Sequence, residues 1–153
     1  MKKLILALFI VLGVLASNTN LNAETRLGGG LYFGSQFNDL ALEARGLFDI
    51  NKEFRIQPDI KFFLASANVS FFTINTNVDY FFHRKDNMSI YALAGLNFGM
   101  YKAPSIPSES GLGINLGVGS DFNMGSWILA PELKLVLGAY NGIVLGASAT
   151  FPL

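Results

Sequence analysis

Charged side chains alternate with apolar ones in two adjacent segments of the chain, residues 40–50 and 54–64. If residues 51–53 form a three-residue hairpin loop, three pairs of opposite charge face one another. These pairs are Asp49–Arg55, Arg45–Asp59 and Glu43–Lys61. Directly opposed side chains in an antiparallel pair lie about 5 Å apart, which is close enough for ion pairing. Such a face could carry protons or ions, support acid–base work by a carboxylate pair, or only neutralise itself.

Later segments add four charged residues to the corresponding face, namely Asp79, Asp121, Glu132 and Lys134. The predicted polar network then holds six acids and four bases, a set that nearly pairs itself. Gly117 and Gly119 fall near the position expected for Glu132 and would leave room for its side chain.

The sequence gives little support for disulfides, metal sites, a catalytic histidine or a phosphate-binding loop. The chain has no cysteine, which excludes disulfides and thiolate metal sites. Its single histidine, His83, belongs to a predicted polar turn at 83–87, where solvation is expected rather than catalysis or metal binding. The glycines at 28–30 lack the spacing and the following lysine of a phosphate-binding loop. We therefore predict no catalytic residue, no metal site, no cofactor and no nucleic-acid surface.

The elements that position the charges are strands, because apolar and polar residues alternate with period two. Eight strands are predicted, at 27–35, 40–50, 54–64, 70–82, 88–101, 111–122, 127–139 and 143–151. The connections are short except for a nine-residue loop at 102–110, and Gly142 is expected in the left-handed region of the last hairpin. An eight-stranded meander that closes into a barrel has no exposed edge.

Composition indicates which face of this barrel lies inside. Charged residues make up 14% of the chain, against about 25% in typical soluble proteins. Ten residues tilted near 45° rise about 23 Å, close to the apolar band of a transmembrane barrel. We therefore predict that the apolar face meets lipid and that the polar side chains fill the lumen. A soluble lipocalin-like barrel with the apolar face inside is the alternative.

Aromatic residues are expected in two rings at the two membrane interfaces. One rim would hold Phe48, Phe54, Tyr80, Phe82, Phe122, Trp127 and Phe151, and the other Phe33, Phe62, Phe72, Phe98 and Tyr140.

The first 23 residues have the pattern of a secretory signal peptide. Lys2 and Lys3 precede an apolar run over 4–16, which is short for a membrane span of about 20 residues. Cleavage after Ala23 would leave residues 24–153 as one domain, with 9 basic residues (11 less the two leader lysines) and 11 acidic ones. An uncleaved N-terminal anchor is the alternative.

Residues 24–153 resemble the small eight-stranded outer-membrane barrels of the OmpX/OmpA type. The resemblance rests on the leader, the alternating strands, the glycines of GLGINLGVGSDF and the closing hairpin WILAPELKLVLGAYNGIVLGASATF. It implies that both termini and the turns at 51–53, 83–87 and 123–126 face the periplasm, with the 102–110 loop outside the cell. Family members usually end on an aromatic residue that the barrel-assembly machinery reads, whereas here Pro152 and Leu153 follow Phe151.

The expected protein is a monomeric, non-enzymatic barrel in outer-membrane lipid, with a structural or surface-interaction role. Its lumen would be plugged by ion pairs, and a surface partner would bind through the 102–110 loop. The alternatives are a periplasmic lipid binder, a narrow channel and a lipid-modifying barrel enzyme.

Overall fold

The computed structural model describes residues 24–64, 69–103 and 106–153, so the predicted leader at 1–23 and most of the predicted loop at 66–69 lie outside it. Eight antiparallel strands follow one another around a closed barrel. They are β1 (Thr25–Gly34), β2 (Asp39–Asp49), β3 (Phe54–Phe63), β4 (Ser70–Lys85), β5 (Met88–Ala103), β6 (Ile106–Asn123), β7 (Ile128–Gly138) and β8 (Gly142–Pro152). The predicted fold class is therefore confirmed.

The β2–β3 hairpin has the register inferred from its charges. Asp49 pairs with Arg55, and the same register continues through Glu43 and Lys61. The Asn51 side chain accepts hydrogen bonds from the backbone N–H groups of Glu53 and Phe54 at 2.8 and 2.9 Å, which fixes the tight loop. The barrel closes where β1 pairs with β8.

Strands β4, β5 and β6 are longer than the sequence pattern suggested. The prediction of a loop at 102–110 is wrong. Strand β5 runs to Ala103 and β6 starts at Ile106, and Tyr101 pairs with Glu109. Likewise β4 continues to Lys85, so the predicted turn at 83–87 shrinks to Asp86 and Asn87. Polar residues in 83–87, and polar residues with two prolines in 102–110, led to the prediction of loops. The backbone of both segments can nevertheless pair with a neighbouring strand.

The position of the left-handed glycine in the last hairpin differs from the prediction. This glycine is Gly138, at φ 137°, and not Gly142. The Asn141 side chain accepts a hydrogen bond from the Gly138 N–H at 2.7 Å, which holds that conformation. Pro58, within β3, does not shift the β2–β3 register. The register shifts instead lie between Phe81 and His83 in β4 and between Tyr101 and Ala103 in β5.

The wall of the barrel separates apolar from polar side chains. Leu96 and Leu112 are 66% and 71% exposed on the outside, whereas Arg55 is fully buried inside. In the part of the chain described, no helix is long and apolar enough to cross a membrane.

The two ends of the barrel are named here by what they carry. The terminal end holds residues 24 and 153 together with the turns 50–53, 86–87 and 124–127. The loop end holds the turns 35–38 and 139–141, the last residues of β3 and β5, and the first residues of β4 and β6.

Candidate functional site

The lumen gathers the whole predicted polar network. Nine of its ten charged residues are buried, and Asp49 lies at the terminal end with a side chain 13% exposed. Sequence reasoning missed Arg26, which is buried beside Asp49 because β1 begins at Thr25 rather than at residue 27. The signal was present, since Arg26 continues the period-two pattern of the inward-facing Gly28 and Gly30.

The terminal cluster is built around Arg55. Its Nε donates to Asp79 Oδ2 at 2.7 Å and its Nη1 to Asp121 Oδ2 at 2.5 Å. The guanidinium carbon lies 4.7 Å from the centroids of both the Phe81 and Tyr91 rings. One cation therefore contacts two carboxylates between two aromatic rings, an arrangement suited to the planar guanidinium.

Two more arginines complete the terminal cluster at its mouth. Arg26 Nη2 donates to Asp49 Oδ2 at 3.2 Å, and its Nη1 lies 3.6 Å from Asp121 Oδ2. Arg84, 35% exposed, reaches Asp49 Oδ1 at 3.4 Å and lies over the Phe81 ring. With Arg55 and Asp79 the cluster holds three cations and three carboxylates. A polar vestibule of about 130 Å³ opens from this cluster to solvent.

The central cluster is a second balanced set, deeper in the lumen. Its cations and carboxylates alternate, so that each cation contacts two carboxylates. Arg45 contacts Glu43 at 2.7 Å and Glu132 at 3.4 Å; Lys61 contacts Glu43 at 2.9 Å and Asp59 at 2.6 Å; Lys134 contacts Glu132 at 2.9 Å and Asp59 at 3.3 Å. Three positive and three negative charges cancel without a bound ion.

Neutral side chains use the remaining hydrogen-bonding capacity of the central cluster. Glu132 accepts from Gln57 Nε2 at 2.9 Å and from Tyr91 Oη at 3.2 Å. Ser148 Oγ donates to Glu43 Oε2 at 2.7 Å. Gly119 faces Glu132 across the β6–β7 ladder, and the space beside Gly119 that was expected for Glu132 is filled by the Tyr91 ring.

An amide cluster of Asn75, Asn77, Asn97 and Asn115 caps the central cluster on its loop-end side. Asn75 Nδ2 donates to Asp59 Oδ1 at 2.7 Å. Asn75 Oδ1 in turn accepts from Asn97 Nδ2 at 2.6 Å and from Asn115 Nδ2 at 2.9 Å. Uncharged hydrogen-bonding groups thus extend the polar network across three strands, β4, β5 and β6, on the loop-end side of the charges.

An aromatic plug of Phe37, Phe63, Phe71, Tyr101 and Tyr140 closes the loop end. The Phe37 ring, from the β1–β2 turn, lies 4.1 Å from Phe71 and about 6 Å from the other three rings, centroid to centroid. Burial, together with the nearby Glu109 carboxylate, raises the pKa of Tyr140. Between this plug and the amide cluster lies a cavity of about 10 Å³.

The predicted interface aromatics divide into two groups. Those on the outer wall are exposed or half-exposed: Phe33, Phe48, Phe54, Phe62, Phe72, Tyr80, Phe82, Phe98, Phe122, Trp127 and Phe151. Tyr140 differs, because its ring turns onto Phe37 and Phe71 and so belongs to the aromatic plug. Turn residues at a barrel mouth can point either way, and the period-two rule does not extend to them.

Paired charges line the lumen in the described residues. Every buried carboxylate there has a cationic partner within 4 Å, and the cavity between the amide cluster and the aromatic plug measures about 10 Å³. Within those same residues, no three His, Cys, Asp or Glu side chains converge as a metal site.

Comparison with solved structures places this architecture among known ones. The N-terminal β-barrel domain of Pseudomonas aeruginosa OprF superposes with a TM-score of 0.71 at 13% identity, covering 86% of this chain and 98% of that one. The fold is that of the small eight-stranded outer-membrane barrels. Neisserial surface protein A follows with a TM-score of 0.64 at 13% identity, covering 86% and 97%. No family model and no curated protein sequence matches the chain.

Another small outer-membrane barrel with this fold is Ail, the attachment invasion locus protein of Yersinia pestis. It superposes with a TM-score of 0.61 at 11% identity, covering 85% of this chain and 96% of that one. Identities this low establish a shared fold, so the role of this chain rests on its own side chains.

Proposed function

We propose that this chain is an integral outer-membrane barrel with a structural or surface-interaction role, whose lumen is plugged by ion pairs. The observation that carries the proposal is the inverted distribution of side chains, with large apolar residues exposed around the wall and charges buried within it. An exposed apolar belt of this extent destabilises a soluble protein but is what a lipid bilayer requires. The proposed location is the bacterial outer membrane, after removal of the leader at 1–23.

The same distribution argues against a periplasmic lipid binder. A lipocalin-like barrel holds its ligand against an apolar interior, whereas this interior contains two neutral ionic clusters and an amide cluster. An apolar ligand would have to displace buried, paired charges, which is unfavourable.

A plugged lumen is favoured over a channel because the central cluster fills the barrel between the amide cluster and the terminal cluster. Replacing Glu132 with Gln and Lys134 with Met removes one carboxylate and one cation of that cluster. We expect the double variant to remain non-conducting in planar bilayers while its resistance to unfolding falls. Discrete channel openings that appear in the parent and change in the variant would support the conducting alternative instead.

A non-enzymatic role is proposed on the same grounds. Barrel enzymes that use a serine nucleophile need a base close to it. His83, the only histidine, lies at the terminal rim of β4, beyond the register shift that follows Phe81. The buried carboxylates are paired with cations, and Asp121, which borders the vestibule of about 130 Å³, contacts both Arg55 and Arg26.

The surface-interaction role is proposed for the β5–β6 hairpin at the loop end. Ala103 and Ile106 are paired strand residues rather than open loop, and the β6–β7 register begins only at Gly113, so residues 107–110 have one free edge. A free strand edge can accept a strand from a partner protein. Pro107 removes one of the donors on this edge.

The charge of the loop-end segments bears on whether this chain could bind a polyanionic ligand. A structure of Ail in complex with the heparin analogue sucrose octasulfate superposes at a TM-score of 0.57. In this chain the loop-end segments 35–39, 64–70, 101–110 and 139–142 contain the cation Lys102 and the anions Asp39 and Glu109. This balance does not favour a polysulfated ligand, so a protein partner is the better candidate.

A variant with a shortened β5–β6 hairpin distinguishes a structural role from a surface-interaction role. Tyr101 and Glu109 are directly paired, so replacing residues 102–108 with Asn-Gly should close a two-residue hairpin without disturbing the barrel. If the role is structural, this variant restores envelope integrity to cells lacking the protein as well as the parent does. If the role depends on the hairpin, the variant inserts normally but fails to restore it.

The proposal as a whole is tested by membrane extraction and heat-dependent mobility in SDS. A closed barrel in lipid pairs its backbone groups internally and resists SDS until heated. We expect detergent-dependent extraction and a mobility shift on boiling. Recovery in the soluble periplasmic fraction, without a shift, would refute outer-membrane insertion. We further propose that the barrel-assembly machinery inserts the chain, which then remains a monomer.

A further inference from the structure

The β1–β2 turn, residues 35–38, inserts two adjacent side chains into the loop-end mouth. Phe37 contributes the central ring of the aromatic plug, with the Phe71 ring 4.1 Å away. Gln36 lines the cavity of about 10 Å³ beneath the plug, together with Thr73 and Asn115. The turn thus covers a polar cavity with an aromatic ring.

The attachment of this turn is concentrated at its first residue. Ser35 N–H donates to Ile143 O at 2.8 Å, and Ser35 Oγ accepts from the Ile143 N–H at 2.8 Å. Beyond Ser35, the Phe37 N–H reaches Gly34 O at only 3.4 Å. None of the four turn residues is charged, so no ion pair holds the turn down. Ring packing of Phe37 is therefore its main restraint.

Two further features characterise the closed arrangement. Asn38 has φ 54°, in the left-handed region, which asparagine adopts more readily than alanine does. Gln36 Oε1 and Asn115 Oδ1 are buried without a hydrogen-bond donor. The orientation of the Asn115 amide is fixed, because its nitrogen donates to Asn75 and Asn77 at 2.9 and 2.8 Å. Gln36 and Asn115 both border the cavity of about 10 Å³, so a small donor that enters the cavity can bind these acceptors.

We propose that residues 35–38 form a lid, closed in this structure, which swings about Ser35 and Asn38. Opening the lid admits water and other small hydrogen-bond donors to a site between Gln36 and Asn115. The cavity has room for about one water molecule when the lid is closed. The central cluster still closes the lumen below, so the lid governs access to a dead-end site.

Cysteine labelling tests the lid directly, because the chain has no native cysteine. Thr73→Cys places a thiol of similar size on the cavity wall. In the folded protein in lipid vesicles, we expect iodoacetamide to label this thiol slowly. Adding Phe37→Ala should accelerate labelling at least tenfold, since the main restraint on the lid is removed. Ser89→Cys, in the terminal-end vestibule, is the matched control, and its labelling rate should not respond to Phe37→Ala.

A backbone substitution separates a moving lid from a merely loosened core. Asn38→Ala raises the free energy of the closed turn without touching the aromatic rings, since alanine disfavours a positive φ. We expect it to accelerate labelling of the Thr73→Cys thiol on the order of fivefold. Asn38→Gly tolerates the positive φ and should leave the rate at or below that of the parent.

Three outcomes would contradict the proposal that residues 35–38 form a lid. Labelling unchanged by Phe37→Ala would show that the ring does not guard the cavity. Equal rates for Asn38→Ala and Asn38→Gly would show that the turn does not move as a unit. Labelling that keeps pace with loss of the SDS-resistant band would indicate global unfolding instead.

Discussion

The two ends of the lumen are filled by opposite means. At the terminal end, Arg55 holds Asp79 and Asp121 in place, and each group depends on the charge of the others. At the loop end, Phe71 and its neighbouring rings fill space with no charge at all. One end opens onto a polar vestibule of about 130 Å³, whereas the other is covered by a turn.

The contrast separates two ways of filling a narrow barrel. Removing one partner of a buried ionic cluster leaves the others uncompensated, so the loss is large and depends on charge. Removing a ring leaves a cavity, so the loss scales with volume and with how far neighbours can relax. The ionic end should therefore respond to charge balance and the aromatic end to size. Four substitutions, ordered by expected effect, test this difference.

The largest effect is expected for Arg55→Met. The variant leaves Asp79 and Asp121 buried without their main cation, and we expect the free energy of unfolding to fall by about 5 kcal/mol. Urea titration of the detergent-solubilised protein measures the change, with the single tryptophan, Trp127, as reporter.

Restoring charge balance is the control for this variant. Adding Asp79→Asn to Arg55→Met removes one carboxylate for the one cation lost, so that two cations and two carboxylates remain and Asp121 keeps its contact with Arg26. We expect most of the lost stability to return. If this double variant is no more stable than Arg55→Met, packing around the guanidinium matters more than charge, and the proposed contrast between the two ends fails.

A somewhat smaller effect is expected for Phe71→Ala at the loop end. Its ring is fully buried among the plug residues, and the cavity left behind should lower the free energy of unfolding by about 3–4 kcal/mol. Phe71→Leu should cost less, because it retains part of the volume. Equal losses for the two variants, measured by the same titration, would show that size does not govern this end.

An intermediate effect is expected for Gly119→Ala beside the central cluster. A methyl group at Gly119 would lie 2.4 Å from the Tyr91 ring carbon that bears the hydroxyl, so the ring must move away from Glu132. Overpacking of this kind costs about 1–3 kcal/mol. The control is a double variant that combines Gly119→Ala with Tyr91→Phe. If its free energy of unfolding equals that of the single variant Gly119→Ala, the loss comes from volume alone and not from the Tyr91–Glu132 hydrogen bond.

The smallest effect is expected for Arg84→Met at the terminal rim. Arg84 contacts the same Asp49 as the buried Arg26, yet it is 35% exposed and screened by water. Exposed ion pairs contribute about 0–1 kcal/mol. A stability loss approaching that of Arg55→Met would place the rim inside the cooperative ionic network. The same titration at low and high salt measures the screening.

Much of the candidate site could be predicted from alternation alone. Glu43 and Lys61 fell opposite each other once the loop at 51–53 was assumed, because strand pairing fixes register with one choice. Arg26 was missed because the predicted start of β1 lies two residues too late. The ion pair between Arg45 and Glu132 joins strands that are distant in sequence, so no local sequence pattern predicts it.

The sequence by itself determined the strands, the hairpin register and the side of the wall on which each strand residue lies. These follow from period two and from short turns, which act between neighbours along the chain or across one hairpin. Only the tertiary structure decided which charges meet across the lumen, how far β5 and β6 extend, and that Phe37 turns inward with Tyr140. Those outcomes depend on the curvature and stagger of the closed barrel, which bring together residues from opposite walls.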